Sequence, residues 1–322
     1  MALPKLDVAL GIRRGFEGRH LLAIADWTAG ELELVLDFAD ELKELQRRRE
    51  PHRLLEGRVI GLLFDKPSTR TRVSFEVGMA QLGGTALFLA AEQLQLARGE
   101  SLRDTATVLS RYLDALAVRT SSHGDVATLA RHASIPVINA LTDAAHPCQA
   151  LADVMTLRER LGDLSGRRLV WIGDGNNVCA SVLVAATTLG MHVVAATPAG
   201  FEPPPAAVER ARAAAARSGG SVQLVRHARE AVVGADALYT DVWTSMGHEQ
   251  EQVRRRRDLS DYRIDAELVR AAGPQAIVLH CLPAHDGEEI TAEVLYGPQS
   301  AVWDQAENRL HTQKALLALV VR

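Results

Sequence analysis

Cysteine is scarce in this sequence. Its three cysteines, Cys148, Cys179 and Cys281, lie far apart and are odd in number. Such a set argues against a disulfide framework and indicates a reducing compartment. Arg13, Arg14 and nearby arginines resemble part of an organellar presequence, but acidic residues interrupt them and no apolar signal core follows. We therefore expect a cytoplasmic protein.

Long apolar runs and an excess of basic charge are also missing. No stretch approaches the roughly 18 uninterrupted apolar residues of a membrane span, and the run at residues 315–321 is far too short. The 36 basic and 40 acidic side chains give a formal charge of −4. This balance does not favour nucleic acid or an anionic membrane as a partner, so any bound anion must be held by a local cluster.

The remaining composition is that of a globular protein with a large core. The chain has 322 residues, of which 47% are hydrophobic and 24% charged. At roughly 100 to 200 residues per domain, this length predicts about two domains. From Arg58 onward, short apolar runs alternate with longer amphipathic ones, which predicts α/β domains with doubly wound, mainly parallel sheets. The expected strands are residues 59–64, 86–89, 115–118, 136–139, 169–172, 193–196, 222–225, 237–239, 276–279 and 301–303.

A domain boundary is expected near residue 150. Residues 148–161 have helical periodicity, and Gly162 and Gly166 end that pattern before the next strand. We assign residues 1–150 to a first domain and 151–304 to a second. The helical stretch at about residues 305–322 has apolar positions that need a covering surface, so we expect it to pack back on the first domain.

The motif Lys-Pro-Ser-Thr-Arg-Thr-Arg, residues 66–72, lies between an apolar strand and a helical run. Hydroxyls and free amides at a helix start donate hydrogen bonds, and a guanidinium can bind a phosphate through two nitrogens. Ser68, Thr69, Arg70 and Thr71 are thus candidates for an anion site, with Arg72 the better candidate for a structural role. The alternative is a capped helix start with a solvated basic turn.

Four further polar residues follow strands or lie at helix starts. His146 and Gln149 lie three apart at a helix start, so both can face one cavity; a capping histidine and a surface glutamine are the alternative. Arg119 ends an apolar strand, where open α/β sheets bind ligands, although a surface ion pair is equally ordinary there. Cys281 follows the strand at 276–279 and is a candidate nucleophile or zinc ligand. No second cysteine lies nearby, however, and His280 with His285 has poor spacing for a metal site.

Two glycine-rich or charged segments give weaker signals. Residues 173–178, Gly-Asp-Gly-Asn-Asn-Val, partly match a dinucleotide fingerprint but lack its third glycine, and no acidic residue ends the next strand. Residues 249–258, with four consecutive arginines, are most simply a solvated face and alternatively a mobile lid.

Taken together, these motifs resemble the aspartate/ornithine transcarbamylase family, and in particular its ornithine-specific members. The resemblance runs in order from about Gly18 to the C-terminus and is carried by residues 68–72, Arg119 and residues 146–149, 241–247 and 280–283. It implies two α/β domains in a trimer that transfers the carbamoyl group of carbamoyl phosphate to L-ornithine. No cofactor and no metal are implied.

The resemblance also implies a role for each matching position. Arg119, His146 and Cys281 would be catalytic. The implied carbamoyl phosphate set is Ser68, Thr69, Arg70, Thr71, Gln95, Arg119, His146, Gln149, Cys281, Leu282 and Arg309, with Gln95 reaching a neighbouring subunit's site. The implied ornithine set is Asn177, Asp241, Ser245 and Met246. Position 286 is an aspartate, where a basic residue is expected in many members of the family. The difference affects the charge of a loop that contains none of the residues in these sets.

Several alternatives stay open at this point. A transcarbamylase for aspartate, acetylornithine or putrescine would keep the phosphate motifs and differ in the second half. An NAD-dependent dehydrogenase would need the missing glycine and acidic residue. A metabolite-binding regulatory protein would keep the fold without turnover.

Overall fold

Nine strands form two parallel sheets in residues 15–244 and 249–322, the parts of the chain that the computed structural model describes. The chain divides into two compact units. The first unit combines the described chain up to Leu151 with Asn308–Arg322, and the second is Ala152–Glu307. The prediction of two α/β domains with parallel sheets is therefore confirmed.

The sheet of the first unit has the strand order β2-β1-β3-β4. The strands are β1 (Val59–Phe64), β2 (Thr85–Ala90), β3 (Ala115–Arg119) and β4 (Val137–Leu141). The central strands are nearly continuous apolar runs because helices cover both faces of such a sheet. The edge strand β2 is more exposed and presents Leu87 and Phe88 to solvent.

The sheet of the second unit has the order β7-β6-β5-β8-β9. The strands are β5 (Arg168–Ile172), β6 (His192–Ala196), β7 (Ser221–Val225), β8 (Ala237–Thr240) and β9 (Ile277–His280). Their order reverses beside β5, as it does beside β1 in the first unit. Open α/β sheets bind ligands at the carboxyl ends of strands at such a reversal. The topology therefore marks the segments after β1, β3, β5 and β8.

Twelve α-helices connect and cover these strands in the described residues. They are α1 (Ala29–Arg47), α2 (Thr69–Gln81), α3 (Leu102–Leu109), α4 (His123–His132), α5 (Pro147–Leu161), α6 (Asn177–Thr188), α7 (Pro205–Ser218), α8 (Ala228–Ala231), α9 (Gln252–Asp258), α10 (Ala266–Ala272), α11 (Ala292–Leu295) and α12 (Val302–Val320). Within that described chain, no helix is both long enough and apolar enough to cross a membrane.

Helix α12 contributes a buried cation to the core of the first unit. The ammonium of Lys314 donates to Gln46 at 2.9 Å, to Gln81 at 2.8 Å and to His52 Nε2 at 3.2 Å. All three acceptors are neutral groups, and the lysine side chain is fully buried. Burial lowers the pKa of Lys314 to about 8, because removal from water disfavours the charged ammonium.

One predicted strand is wrong. Residues 301–303 do not form a strand: Ser300 makes a single bridge to Val278, and α12 begins at Val302. The three apolar residues belong to the start of a 19-residue helix that buries Val302 and leaves Trp303 exposed. A short apolar run has no periodicity of its own, so it does not distinguish a strand from the first turn of a helix.

Candidate active site

The anion motif of the first unit lies at the junction of β1 and α2. Ser68 is the N-cap residue of α2, and the helix begins at Thr69, inside the predicted motif. The carbonyl of Ser68 accepts the first helical hydrogen bond, from Arg72 N at 3.2 Å. The amides of residues 69–71 precede that bond, so this helix start offers free N–H donors and a partial positive charge to an anion.

Thr71 joins this helix start to Arg309 of α12. The guanidinium of Arg309 donates to Thr71 Oγ1 at 3.0 Å and to Gln149 Oε1 at 2.8 Å through its two terminal nitrogens. Its Nε donates to Gln313 at 3.2 Å, and Gln313 also accepts from the Ser74 hydroxyl at 3.0 Å. Arg309 is almost fully buried. These contacts hold three segments of the first unit around one cation.

His146 lies in the same buried cluster as a neutral imidazole. Burial lowers its pKa well below the usual range, and the charges of Arg309, Arg119 and Arg70 lower it further. The three arginines are therefore near enough to His146 to act on its charge. A neutral imidazole among three cations can donate a hydrogen bond to a ligand oxygen without adding charge.

The first unit thus brings together six predicted residues: Arg70, Thr71, Arg119, His146, Gln149 and Arg309. Ser68 and Thr69 adjoin them at the start of α2. Gln95 is not among them; it is exposed in the short 3₁₀ helix Gln95–Arg98. Its predicted position, reaching another subunit, stays a prediction.

Asp241 is the centre of the polar cluster in the second unit, directly after β8. Its Oδ2 accepts from Asn176 Nδ2 at 2.7 Å, and its Oδ1 accepts from the Cys281 thiol at 2.8 Å. Asp241 is buried and Cys281 half-buried. The carboxylate therefore lies where β5, β8 and β9 end, on the side that the reversal of strand order marks.

The other predicted positions of this unit are placed less completely. Asn177 is the first residue of α6, next to the residue that contacts Asp241. Leu282 has a positive φ of 60°, and its amide donates to His280 Nδ1 at 2.9 Å. Ser245 and Met246 lie outside the described residues.

Asp241, His280 and Cys281 also form a possible metal-ligand group, since their ligand atoms lie within 4.8 Å of one another. Both nitrogens of His280 are already used, however. Nδ1 accepts from the Leu282 amide, so Nε2 carries the proton that is donated to Glu289, 3.0 Å away. Because a metal ligand needs a free ring lone pair, this group does not fit a metal ion.

Two residues of the second unit escaped prediction from sequence. Asn176 was counted only within the incomplete dinucleotide fingerprint. Arg255 belongs to the charged run 249–258, for which the sequence predicts a solvated face. It nevertheless donates to Asp174 at 2.8 Å, and its side chain is only 13% exposed, against 78% for Arg257. The solvated-face interpretation is wrong for Arg255, because four adjacent arginines give no sign of which one turns inward.

Comparison with known proteins agrees with this arrangement. Residues 19–159 match the carbamoyl-P binding domain of the aspartate/ornithine carbamoyltransferases, and residues 165–320 match their Asp/Orn binding domain. The anabolic ornithine carbamoyltransferase of Pyrococcus furiosus is 53% identical over 304 residues, 94% of this chain and 96% of that protein. The ornithine carbamoyltransferase of Acidothermus cellulolyticus is 55% identical over 303 residues, 94% of this chain and 96% of that one.

Solved structures give the same result. An ornithine carbamoyltransferase structure from Pyrococcus furiosus superposes with a TM-score of 0.93 at 53% identity, covering 95% of this chain and 98% of that one. A mitochondrial ornithine carbamoyltransferase from Coccidioides immitis gives a TM-score of 0.87 at 36% identity, covering 95% and 98%. The chain belongs to the aspartate/ornithine carbamoyltransferase family.

Proposed function

We propose that this protein is an ornithine carbamoyltransferase, which converts carbamoyl phosphate and L-ornithine into L-citrulline and phosphate. The observation that carries the proposal is the buried contact of Arg309 with Thr71 and Gln149, beside a neutral His146. It supports a site for a small dianion joined to a carbonyl group. The identity of the relatives over nearly the whole chain supports the same reaction.

Carbamoyl phosphate is a mixed anhydride, so the reaction needs two charges stabilised. The start of α2, with Ser68, Thr69 and Arg70, is suited to the phosphate dianion. Arg119, His146 and Thr71 are assigned to the oxyanion that forms on the carbamoyl carbon. Such preorganised donors commonly supply the largest share of the rate enhancement.

The acceptor half of the reaction is assigned to the second unit. Asp241 is proposed to bind the α-ammonium of ornithine, together with Asn177, Ser245 and Met246. The neutral δ-amine attacks the carbamoyl carbon, the bond from that carbon to the phosphate oxygen breaks, and the amine loses one proton. The departing phosphate takes that proton; Cys281, whose thiol carries a proton directed at Asp241, would take it only as a thiolate. Cys281 and the carbonyl of Leu282 are proposed to contact the carbamoyl group.

The biosynthetic direction is the better proposal for this chain. The relative from Pyrococcus furiosus carries the description anabolic at 53% identity. We accordingly propose that the citrulline formed serves arginine biosynthesis. The three free cysteines support a reducing compartment such as the cytoplasm.

A homotrimer is proposed for the assembly. Exposed apolar side chains occur on α2 and on the neighbouring edge strand β2, namely Val73, Val77, Leu87 and Phe88. Exposed apolar surface of this kind commonly marks protein interfaces. Gln95 is exposed shortly after β2, which supports its assignment to a neighbouring copy's site.

The decisive assay measures citrulline from carbamoyl phosphate with ornithine, acetylornithine, putrescine or aspartate as acceptor. We expect ornithine to give by far the highest kcat/KM. Preference for another acceptor would replace the substrate assignment while keeping the family. Tight binding of carbamoyl phosphate without product from any acceptor would instead indicate a metabolite-binding protein.

A further inference from the structure

We infer that Asn176 is a positioning residue that fixes the carboxylate of Asp241 for the ammonium group of the acceptor. The inference rests on the proposed function and extends it to a residue that the motif comparison leaves without a role. The contact itself is short, with 2.7 Å between Asn176 Nδ2 and Asp241 Oδ2.

Asn176 is held rigidly because it is also the N-cap of α6. Its Oδ1 accepts from the amides of Val178 at 3.0 Å and Cys179 at 3.1 Å. Since this oxygen faces two N–H donors, the amide nitrogen must be the group that faces Asp241. The orientation of the carboxamide is thereby fixed by its own hydrogen bonds.

The loop before Asn176 is fixed as well. The amide of Gly175 donates to the Phe201 carbonyl at 2.8 Å, and a Cβ at Gly175 would lie 2.2 Å from Pro203 N. Asp174 is tied to Arg255 at 2.8 Å. The backbone that carries Asn176 therefore has little freedom to follow a shift of Asp241.

Asp241 in turn keeps acceptor capacity for a ligand. A carboxylate offers about four lone-pair sites, and the contacts with Asn176 and Cys281 use one on each oxygen. The carboxylate plane is set by these two donors, one on each side. The remaining lone pairs are then fixed in direction before the acceptor binds, which lowers the ordering cost of binding.

An asparagine is the side chain that satisfies both neighbours. Aspartate would keep the cap of α6 but place a second carboxylate against Asp241, where two like charges raise a carboxyl pKa. Serine would also keep a cap but has no donor that reaches Asp241. Asn176→Ser and Asn176→Asp therefore separate the cap from the contact with Asp241.

The test compares Asn176→Ser with a matched cap variant, Asp265→Ala. Asp265 caps α10 in the same unit, its side chain accepting from Leu268 N at 2.9 Å. For Asn176→Ser we expect the KM for ornithine to rise roughly tenfold or more, since a charge-assisted hydrogen bond is lost. Calorimetric affinity for carbamoyl phosphate should stay within about twofold. Asp265→Ala should lower the unfolding temperature without changing the KM for ornithine.

Asn176→Asp adds a readout that a purely structural role would not change. Two carboxylates in contact titrate as a pair, with one pKa raised. The KM for ornithine should then show an ionisation at higher pH than a normal carboxyl group, absent from the unmodified protein.

The outcomes are distinguishable. If the unmodified protein forms no citrulline, the proposed function fails. If it forms citrulline while Asn176→Ser keeps the native KM for ornithine, the positioning role is refuted. An equal KM change in Asp265→Ala would likewise refute it, because a general loss of stability in the second unit would then account for the effect.

Discussion

Arg309 and Thr71 are 238 positions apart in sequence, yet the guanidinium donates to the threonine hydroxyl at 3.0 Å. The contact joins α12 to the start of the helix that follows β1. Because the same guanidinium also binds Gln149, the anion site of the first unit depends on three segments. The predictions below test this site, its neighbours and the assembly.

Arg70→Ala should weaken carbamoyl phosphate binding by roughly tenfold to a hundredfold, because a charged hydrogen-bond donor to phosphate is lost. Calorimetry with carbamoyl phosphate measures this effect. Arg72→Ala is the matched control on the same helix: Arg72 pairs with Glu76 at 2.9 Å on the exposed face. An equal loss of affinity for carbamoyl phosphate in both variants would show a general effect of positive charge and would contradict the assignment of Arg70.

Cys281→Ala should lower kcat without abolishing the binding of carbamoyl phosphate. Its thiol donates to Asp241 and is half-buried, whereas Cys148 and Cys179 are fully buried. Burial raises the pKa of Cys148 to about 11. Brief alkylation of the native protein should therefore modify Cys281 first, as read by mass spectrometry. Unchanged turnover in Cys281→Ala would remove this thiol from the reaction.

His146 should remain neutral through the pH range in which an ordinary histidine becomes protonated. Its folded-state pKa lies well below the ordinary 6.5, first through burial and then through nearby arginines. At acid pH the unfolded chain therefore binds more protons than the folded protein. The contribution of His146 to the free energy of unfolding is full above pH 6.5 and falls as the pH decreases. His146→Gln should reduce this acid-side loss in chemical unfolding. An imidazole NMR signal that titrates near pH 6.5 would contradict the buried placement.

Lys314 should make the protein more stable at mildly alkaline pH. Its pKa is about 8 in the folded state, against 10.5 for an exposed lysine. Between these values the unfolded chain binds the extra proton, so the free energy of unfolding rises with pH. The difference between the unmodified protein and Lys314→Met should change by roughly 2 kcal/mol between pH 7.5 and 9.5. A flat difference would show that its three acceptors keep the ammonium charged.

Leu87→Glu should shift the assembly towards monomers. Leu87 is 45% exposed on the edge strand β2, which is assigned to the proposed trimer interface. A charge there opposes burial between copies. Light scattering coupled to size-exclusion chromatography measures the mass. Val233→Glu, at an exposed position of the second unit, is the control and should leave the mass unchanged.

The sequence predicted the fold well wherever continuous apolar strands ended at polar residues. Val59–Phe64 and Ala115–Arg119 are such strands, and the residues after them converge in the structure. Arg309 was assigned only through the family resemblance, because nothing local in an amphipathic helix indicates a partner at Thr71. The error at residues 301–303 arose where a short apolar run had no periodicity.

Asn176 escaped prediction for a different reason. Its role as the N-cap of α6 depends on neighbouring residues and can be predicted from the sequence. Its second partner, Asp241, is 65 positions away. Arg255 presents the same difficulty, since its contact with Asp174 spans 81 positions. Such pairings are set by the order of strands in the sheet, which a single sequence with no tertiary information does not specify.

The placement of Arg309 on α12 has a consequence for biosynthesis of the protein itself. Residues 59–151 carry the rest of the anion site, but the guanidinium that joins Thr71 to Gln149 is synthesised only with residues 302–320. A nascent chain that has not reached this helix lacks Arg309 in its anion site, so carbamoyl phosphate should stabilise it less than the complete chain.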